Sequence, residues 1–556
     1  MWEGRRVNDA AHVDLIRAGY TFDVPSATLG VLIADDQPVV DAPIRIPLSM
    51  FNRHGLVAGA TGTGKTVTLQ VMAEALSSAG VPVFAADIKG DLSGMATAAQ
   101  SGEKILARAA GQGQPWEPTS FPTEFYALGG EGIGIPVRAT ITAFGPILLS
   151  KVLDLNQVQE SSLGLVFHYA DKAGLALLDL KDLIELLKYL TSDEGKAELK
   201  GIGGVSTATA GVILRSLITL ADQGADVFFG EPEFDPSELM RVAPDGRGVV
   251  SLLELPRLAS RPALFSTFLM WLLADLYNDL PEVGDIDKPK LVFFFDEAHL
   301  LFNGASKAFL DAITQTVRLI RSKGIGVFFV TQTPKDVPDD VLAQLGSRVQ
   351  HQVRAHTPND AKALKATVAT YPNSDYELEE LLQQLGIGEA IVTVMSEKGA
   401  PTPVAWTKIW APTSQMGPTP EPQMQAIVDA SPMKARYGEA IDRESAYELL
   451  TKRLAEGARI AEEERLEKER AEQAAAAEKE AARLEKEFEK QQRDAEKERA
   501  RLEREQRAQE AARRKWEKEN PSLMEQVTKS TVFKDLVRTT GREIIRSIFG
   551  TGRRSR

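Results

Sequence analysis

The order of hydrophobic and polar positions predicts strands that alternate with helices over roughly the first 410 residues. Apolar runs of strand length occur at residues 27–34, 39–46, 81–86, 291–295, 325–330 and 349–354. Stretches with helical periodicity occur at residues 66–78, 163–172, 180–189, 208–222 and 306–322. Strands that alternate with helices are typical of an α/β fold with a mainly parallel sheet. We therefore expect one large α/β core at residues 51–410.

The first two apolar runs are separated by Asp35-Asp36-Gln37-Pro38, which predicts a β-hairpin within residues 1–50. Two strands are too few for an independent barrel domain. We therefore interpret residues 1–50 as a hairpin that decorates the edge of the main sheet.

Residues 140–245 lack strand-like runs and predict a helical subdomain inserted into the core. Such an insertion serves either as structural bulk or as a lid or an intersubunit wall. The sequence does not separate these alternatives.

The chain changes character after residue 410. Residues 411–444 are rich in Pro, Ser, Thr and Gln and predict an exposed linker, whereas residues 445–519 consist mainly of strong helix formers. Large apolar residues are sparse there, so a solvated charged helix is favoured over a coiled coil. Residues 520–556 form a basic amphipathic segment. For this segment we favour self-docking or an oligomer contact, then DNA, then a membrane surface.

Composition narrows the class of protein. The chain has 556 residues, of which 43% are apolar, with no cysteine and six scattered histidines. Disulfides and cysteine-ligated metal centres are therefore excluded. No signal peptide or membrane-spanning run is evident, so we expect a cytoplasmic protein. The net charge of −13 argues against extensive coating by nucleic acid, although a basic channel remains compatible with it.

The strongest chemical signal is the run LVAGATGTGKTVT at residues 56–68, which fits the phosphate-loop pattern G-x-x-x-x-G-K-[ST]. Its backbone N–H groups are expected to surround the phosphates of ATP, with Lys65 at the β- and γ-phosphates and the Thr66 hydroxyl on Mg²⁺. Thr68, one turn into the next helix, is included among the nucleotide-binding candidates. The full set of candidates is Gly59, Ala60, Thr61, Gly62, Thr63, Gly64, Lys65, Thr66 and Thr68.

A second signal is LVFFFDEAHLL, five apolar residues of a buried strand followed by Asp296 and Glu297. This is the Walker B arrangement. Asp296 is expected to hold Mg²⁺, and Glu297 to orient and deprotonate the attacking water.

Other candidates follow strands at the same sheet edge, where parallel α/β folds bind ligands. Gln332 is the candidate sensor of the γ-phosphate, and Arg354 is expected near the same site. Asp87 and Lys89, directly after the 81–86 run, are secondary candidates that could equally hold a turn.

Two arginines are expected at the opposite edge. Arg318 and Arg321 lie near the C-terminal end of the 306–322 helix, which runs antiparallel to the strands. They can therefore reach only a neighbouring subunit's phosphates. This makes Arg321, with Arg318 second, a candidate arginine finger supplied in trans. The alternative is that both cations complement the helix dipole.

With GATGTGKT, LVFFFDEAH, the TQTP turn and DDVLAQLGSRV in this order, residues 20–410 resemble the HerA–FtsK superfamily of P-loop motors, and more narrowly the bacterial HerA-like helicase-type ATPases. The resemblance implies a RecA-like fold, a homo-hexamer with nucleotide between subunits, and movement along DNA.

One departure and two alternatives qualify this expectation. Relatives that work with a DNA-end-processing nuclease carry a β-barrel before the phosphate loop, but here only residues 1–50 precede the core. A nuclease partner is therefore doubtful. The alternatives are a motor that acts on protein assemblies and a nucleotide-gated scaffold whose long tail binds an unknown partner.

Overall fold

The computed structural model describes residues 10–128, 132–199, 203–255, 262–302, 305, 307–355 and 357–519. The strands are β1 (Ser26–Ala34), β2 (Gln37–Pro47), β3 (Gly55–Ala58), β4 (Val83–Asp87), β5 (Thr123–Ala127), β6 (Ile135–Pro136), β7 (Val250–Glu254), β8 (Leu291–Phe295), β9 (Ile325–Thr331), β10 (Ser347–Gln350), β11 (Glu389–Thr393) and β12 (Ala405–Ile409).

The helices are α1 (Ala10–Gly19), α2 (Lys65–Ser78), α3 (Glu103–Gly111), α4 (Ile141–Val152), α5 (Gln157–Lys172), α6 (Leu180–Thr191), α7 (Asp193–Leu199), α8 (Thr207–Leu220), α9 (Pro262–Asp279), α10 (His299–Phe302), α11 (Lys307–Ile320), α12 (Asp339–Leu342), α13 (Pro358–Val368), α14 (Leu378–Gln384), α15 (Glu421–Ala430), α16 (Pro432–Tyr437) and α17 (Ala446–Glu519).

All these strands form a 12-stranded sheet in the order β2-β1-β12-β11-β10-β3-β9-β8-β4-β7-β5-β6. From β10 to β6 every neighbouring pair is parallel, whereas the pairs from β2 to β10 are antiparallel. The predicted α/β fold with a mainly parallel sheet is confirmed. The parallel block brings the carboxyl ends of β3, β9, β8, β4 and β7 to one edge.

Aromatic packing fixes the centre of this block. The five residues of β8 are all buried, as expected for a strand covered on both faces. Phe294 packs against Phe328 at 5.4 Å between ring centroids, and Phe295 packs against Phe329 at 5.9 Å. These pairs hold β8 and β9 in register, and so they fix the positions of the polar residues that follow both strands.

The N-terminal hairpin extends the antiparallel side of the sheet. Strands β1 and β2 pair with each other, and Asp35 and Asp36 turn the chain with positive φ angles of 51° and 59°. Strand β1 also pairs with β12. Where these two strands pair, a Cβ on Gly30 would lie 2.0 Å from the Lys408 carbonyl oxygen. The close approach of the two backbones therefore requires glycine.

Helices α4 to α8 form the insertion predicted for residues 140–245. Two of them begin with capping boxes, Asn156 with Gln159 and Asp179 with Asp182, which satisfy the first N–H groups of α5 and α6. Helix α6 packs against helix α8. The buried side chains are Leu183, Leu186 and Leu187 of α6 and Ile213 and Leu217 of α8. These side chains belong to the same hydrophobic core as the residues of the sheet, so the insertion packs onto the main body.

The prediction of an exposed linker at residues 411–444 is wrong for the first part of this range. Residues 413–419, which we call the strap, pack against α2 and the segment after β4. Ser414 and Thr419 of the strap are buried. Ser414 and Thr413 bond to Glu74 of α2, and Thr419 bonds to Ser93. The polar composition reflects these hydrogen bonds and not solvation. Helices α15 and α16 follow the strap.

The chain divides into two compact units, Met1–Leu454 and Ala455–Arg556. Most of α17 belongs to the second unit, in which large apolar side chains such as Phe488 and Trp516 are exposed. Pairs spaced four residues apart, such as Arg459 with Glu463, support this helix. The predicted basic amphipathic segment, 520–556, lies outside the described residues. Among the helices that the structure describes, none has the length and hydropathy needed to cross a bilayer.

Candidate nucleotide-binding site

The glycine-rich loop connects β3 to α2, as its sequence predicts. Gly59 and Gly64 adopt φ angles of 155° and 116°, a region that side-chain-bearing residues rarely occupy. A Cβ on Gly59 would lie 2.5 Å from His351 Cβ, whereas a Cβ on Gly62 would meet no atom within 4 Å. The loop is therefore packed on one side and open on the other.

Backbone hydrogen bonds from three neighbouring segments fix the shape of this loop. The N–H of Gly59 donates to the Thr331 carbonyl at 3.2 Å, and the N–H of Ala60 donates to Gln352 at 2.9 Å. The Thr63 carbonyl accepts from the N–H of Gly388 at 3.0 Å. The loop geometry is thus set by the ends of β9 and β10 and by the turn before β11.

Lys65 begins α2 and is almost fully buried within the loop. Its ammonium group donates to the carbonyls of Gly59 at 2.7 Å and Ala60 at 3.2 Å. Burial lowers the pKa of Lys65, while the nearby charges of Glu297 and Asp296 act in the opposite direction. The lysine and both carboxylates therefore belong to one electrostatic site.

The two threonines of α2 have different surroundings. Thr66 is half-buried directly after Lys65, at the start of the helix. Thr68 is fully buried, and its hydroxyl forms a 2.8 Å hydrogen bond with His351 Nε2. The Thr68 hydroxyl is therefore engaged on the packed side of the loop, and a contact of Thr68 with nucleotide stays a prediction.

Asp296 and Glu297 follow β8, two strands from the loop. Asp296 is 4% exposed, and its Oδ1 accepts the N–H of Glu297 at 2.9 Å. Burial raises the pKa of Asp296, although the charge of Lys89 acts against this shift. Glu297 has a φ of 48°, which is uncommon for a residue with a side chain.

Lys89 and Asp87, both secondary candidates, have separate roles. Lys89 Nζ lies 2.5 Å from Glu297 Oε1, so Lys89 belongs to the site. Asp87 holds the turn that carries it, because its carboxylate accepts the N–H groups of Lys89, Gly90 and Leu92. Burial raises the pKa of Asp87 to about 6.

The hydrogen bond from Lys89 lowers the pKa of Glu297. Burial alone would raise the pKa of Glu297, but the hydrogen bond and charge of Lys89 hold it below the usual value. His299 Nδ1 lies 3.2 Å from the second oxygen, Oε2. Within the described part of the chain, Oε1 is therefore hydrogen-bonded by Lys89, whereas Oε2 lies near His299 without a hydrogen bond.

Sequence reasoning missed two residues near this cluster, Glu254 and His299. Glu254 ends β7 directly opposite Asp87 of β4. Burial, followed by the charge of Asp87, raises the pKa of Glu254 to about 8. The signal for Glu254 was the apolar run VVSLLEL, another buried strand that ends in a carboxylate. His299 stands in the same run as Asp296 and Glu297.

The remaining candidates divide between the two sheet edges. Gln332 is exposed directly after β9, which lies between β3 and β8. Arg354 lies beyond the end of β10, and its Nη2 is 3.4 Å from the Thr61 carbonyl oxygen. Both are therefore at the edge that carries the loop.

Arg318 and Arg321 are exposed at the other edge. Arg321 follows α11 and precedes the amino end of β9. Burial and the charge of Arg53 lower the pKa of Arg321. Because Arg53 lies two residues before β3, these cations are separated from the chain's own loop by the length of the strands.

A lysine-threonine phosphate loop between a parallel strand and a helix, with an Asp-Glu pair at the same sheet edge, defines a P-loop nucleoside triphosphatase fold. Within that class the chain belongs to the family described as Helicase HerA-like C-terminal, which it matches over residues 32–556.

The chain is similar to two curated archaeal proteins. It is 23% identical over 358 residues to the DNA double-strand break repair helicase HerA of Saccharolobus solfataricus, a match that covers 63% of each chain. It is 31% identical over 121 residues to a probable helicase of Methanocaldococcus jannaschii, covering 21% of this chain and 22% of that one. The alignment thus spans less than two thirds of either relative.

Among solved structures, the chain aligns with the bacterial conjugative coupling protein TrwBdeltaN70. That comparison has a TM-score of 0.47 and 15% identity, and it covers 73% of this chain and 95% of that chain. VirB4 of Thermoanaerobacter pseudethanolicus gives a TM-score of 0.45 at 15% identity, covering 70% of this chain and 97% of that chain.

Proposed function

We propose that the protein is an Mg²⁺-dependent ATPase that drives a ring-shaped DNA motor. The observation that carries the proposal is the convergence of the phosphate loop, Lys65, Asp296 and Glu297 at one sheet edge. Family membership supports the same class of activity.

The residues present fit both ATP and its metal ion. The open side of the loop at Gly62 leaves space for phosphates, and the loop is followed by the N-terminus of α2. The Thr66 hydroxyl and the Asp296 carboxylate supply the oxygen ligands that Mg²⁺ prefers. When bound, Mg²⁺ neutralises charge on the transferred phosphoryl group.

We assign roles to this chain's residues on that basis. Backbone N–H groups of residues 59–66 bind the phosphates, and the Lys65 ammonium leaves its loop carbonyls to reach the β- and γ-phosphates. Glu297 orients the attacking water and accepts its proton. Gln332 contacts the γ-phosphate or that water, and Arg354 supports the loop from the end of β10.

A homo-hexamer with nucleotide between subunits is the assembly we propose. Its support is the position of Arg321 and Arg318, exposed at the sheet edge away from the chain's own loop. Arg321, with Arg318 second, would then act as the finger on the neighbouring subunit's ATP.

Duplex DNA is the polymer we propose as the substrate. The printed name of the Saccharolobus solfataricus relative, a DNA double-strand break repair helicase, supports this choice. A motor that acts on a protein assembly is the alternative, since no recognisable DNA-reading motif occurs in the sequence.

Nucleotide binding and steady-state ATP hydrolysis by wild type, Lys65→Ala and Glu297→Gln test the enzymatic part of this proposal. We expect Lys65→Ala to lose nucleotide binding and Glu297→Gln to keep it while losing turnover. Hydrolysis that persists in Lys65→Ala would contradict the assignment of the site.

A further inference from the structure

We propose that Lys89 is a positioning residue that restrains Glu297 and thereby limits ATP turnover until the loop carrying Lys89 moves. We call residues 88–96 the brake loop. This inference rests on the proposed function, because Glu297 must be the base for its restraint to matter.

The first observation is the contact itself. Lys89 Nζ lies 2.5 Å from Glu297 Oε1, and His299 Nδ1 lies 3.2 Å from Oε2. The Glu297 side chain is only 9% exposed, so little of it is left to solvent. Oε2 makes no hydrogen bond within the described part of the chain. A water that is to lose its proton to Oε1 must compete with the charge-assisted hydrogen bond from Lys89. The pair therefore favours a geometry in which Glu297 is a poor base.

The second observation is that Lys89 is held in place. The Asp87 carboxylate accepts the N–H groups of Lys89 at 3.2 Å, Gly90 at 2.8 Å and Leu92 at 2.7 Å. Asp87 itself is fixed at the end of the buried strand β4. The start of the brake loop is thus anchored to the sheet, which fixes the position of the Lys89 backbone.

The third observation is a clamp on the far side of the brake loop. Ser93 accepts two hydrogen bonds from Thr419 of the strap, one from its N–H at 2.9 Å and one from its hydroxyl at 2.6 Å. A Cβ on Gly94 would lie 2.2 Å from the Gln415 carbonyl oxygen, so the strap is pressed against the loop backbone. The strap also bonds to Glu74 of the phosphate-loop helix α2. A displacement of the strap would therefore shift the positions of both the brake loop, which carries Lys89, and α2.

Turnover in three lysine variants tests the restraint. With saturating ATP and no polymer, Lys89→Met is expected to raise kcat several-fold, while Lys89→Arg, which keeps the charged donor, stays near wild type. Lys104→Met, a change at an exposed lysine of α3, is the matched control. A fall in kcat for Lys89→Met would place Lys89 in the catalytic machinery instead, and an unchanged kcat would equally overturn the proposal.

A readout that is independent of catalysis tests the pairing. Acetylation of lysines in the nucleotide-free protein, followed by mass spectrometry, measures the reactivity of each side-chain amine, which falls when a carboxylate holds the group as its ammonium ion. We expect Lys89 to react slowly in wild type and several-fold faster in Glu297→Ala, with Lys104 unchanged. Equal Lys89 rates in the two proteins would contradict the restraint.

The two proposals fail in distinguishable ways. If Glu297→Gln hydrolyses ATP at the wild-type rate, the assignment of the base fails, whatever the labelling shows. If Glu297→Gln is inactive but Lys89→Met is no faster than wild type, only the restraint fails. In the double variant Glu297→Gln/Lys89→Met we expect no gain in turnover, since the base that Lys89 restrains is absent.

Discussion

The Glu74 carboxylate of the phosphate-loop helix accepts the hydroxyl of Ser414 at 2.5 Å and its N–H at 2.9 Å. These residues are 340 positions apart in the chain. Thr413 adds further hydrogen bonds to the same carboxylate. A segment beyond the last strand of the sheet is therefore bonded directly to the helix that carries Lys65.

Glu74→Ala is expected to destabilise the folded protein. The N–H groups of Thr413 and Ser414 would lose their acceptor, and an orphaned buried group costs ~1–3 kcal/mol. Thermal unfolding monitored by circular dichroism should show a lower midpoint for Glu74→Ala. Glu103→Ala, at an exposed position of α3, should leave the midpoint unchanged. Equal midpoints for Glu74→Ala and wild type would show that the strap contributes no stability through this carboxylate.

Glu297→Gln is expected to bind ATP but to turn it over slowly. The amide keeps the size of the side chain and removes its basicity, and loss of a general base costs roughly 10²- to 10⁴-fold in rate. Single-turnover and steady-state hydrolysis measure this loss. Glu380→Gln, on the exposed face of α14, is the control. Turnover within a few-fold of wild type would remove Glu297 as the base.

Arg321→Ala is expected to be inactive alone and partly active when mixed with Lys65→Ala subunits. In a mixed ring some interfaces pair an intact loop with an intact arginine, so activity returns only if the arginine acts in trans. Hydrolysis is measured across mixing ratios after subunit exchange has been verified by mass spectrometry. The same experiment with Arg318→Ala ranks the two arginines. Absence of rescue in verified mixed rings would argue against action in trans.

Acid is expected to destabilise the fold in part through His54. This side chain is 2% exposed, and its Nδ1 accepts the N–H of Val327 at 3.0 Å. Burial lowers its pKa from 6.5 to about 4, with the charges of Arg321 and Arg53 acting in the same direction. As the pH falls below 6.5, His54 therefore takes up a proton in the unfolded chain before it does so in the folded protein. The free energy of unfolding decreases over this range until the pH reaches about 4.

The size and origin of this pH effect are measurable. The shift corresponds to on the order of 3 kcal/mol between pH 6.5 and pH 4. The unfolding midpoint of His54→Gln should depend less steeply on pH over this window than that of wild type. His168→Gln, at an exposed position of α5, should keep the wild-type slope. Identical slopes for His54→Gln and wild type would assign the acid sensitivity to other groups.

Local patterns in the sequence predicted the elements of the parallel block well. Strand β8 and helix α2 begin and end within one residue of their predicted bounds. The apolar runs and the glycine-rich motif that predict them depend only on residues close together in the sequence. The same patterns placed Asp296, Glu297 and Gln332 after neighbouring strands, since parallel strands share a carboxyl edge.

Contacts between distant residues could not be predicted in this way. The sequence of the strap is typical of a linker. The residues that accept its hydrogen bonds, Glu74 and Ser93, lie more than 300 positions earlier and cannot be inferred from the local pattern. Thr68 reads as part of the loop motif because its partner, His351, is 283 positions away. The choice of Lys89 as a contact of Glu297 likewise depends on the order of β4 and β8 in the sheet.

Steady-state ATP hydrolysis with and without duplex DNA, at low and moderate salt, is the most direct test of the proposed DNA motor. Lys65→Ala serves as the blank. We predict strong stimulation by DNA at low salt that weakens as salt rises, because contacts with DNA phosphates release counterions. Robust hydrolysis that is indifferent to duplex and single-stranded DNA at low salt would contradict a DNA motor and leave an ATPase that acts on another partner.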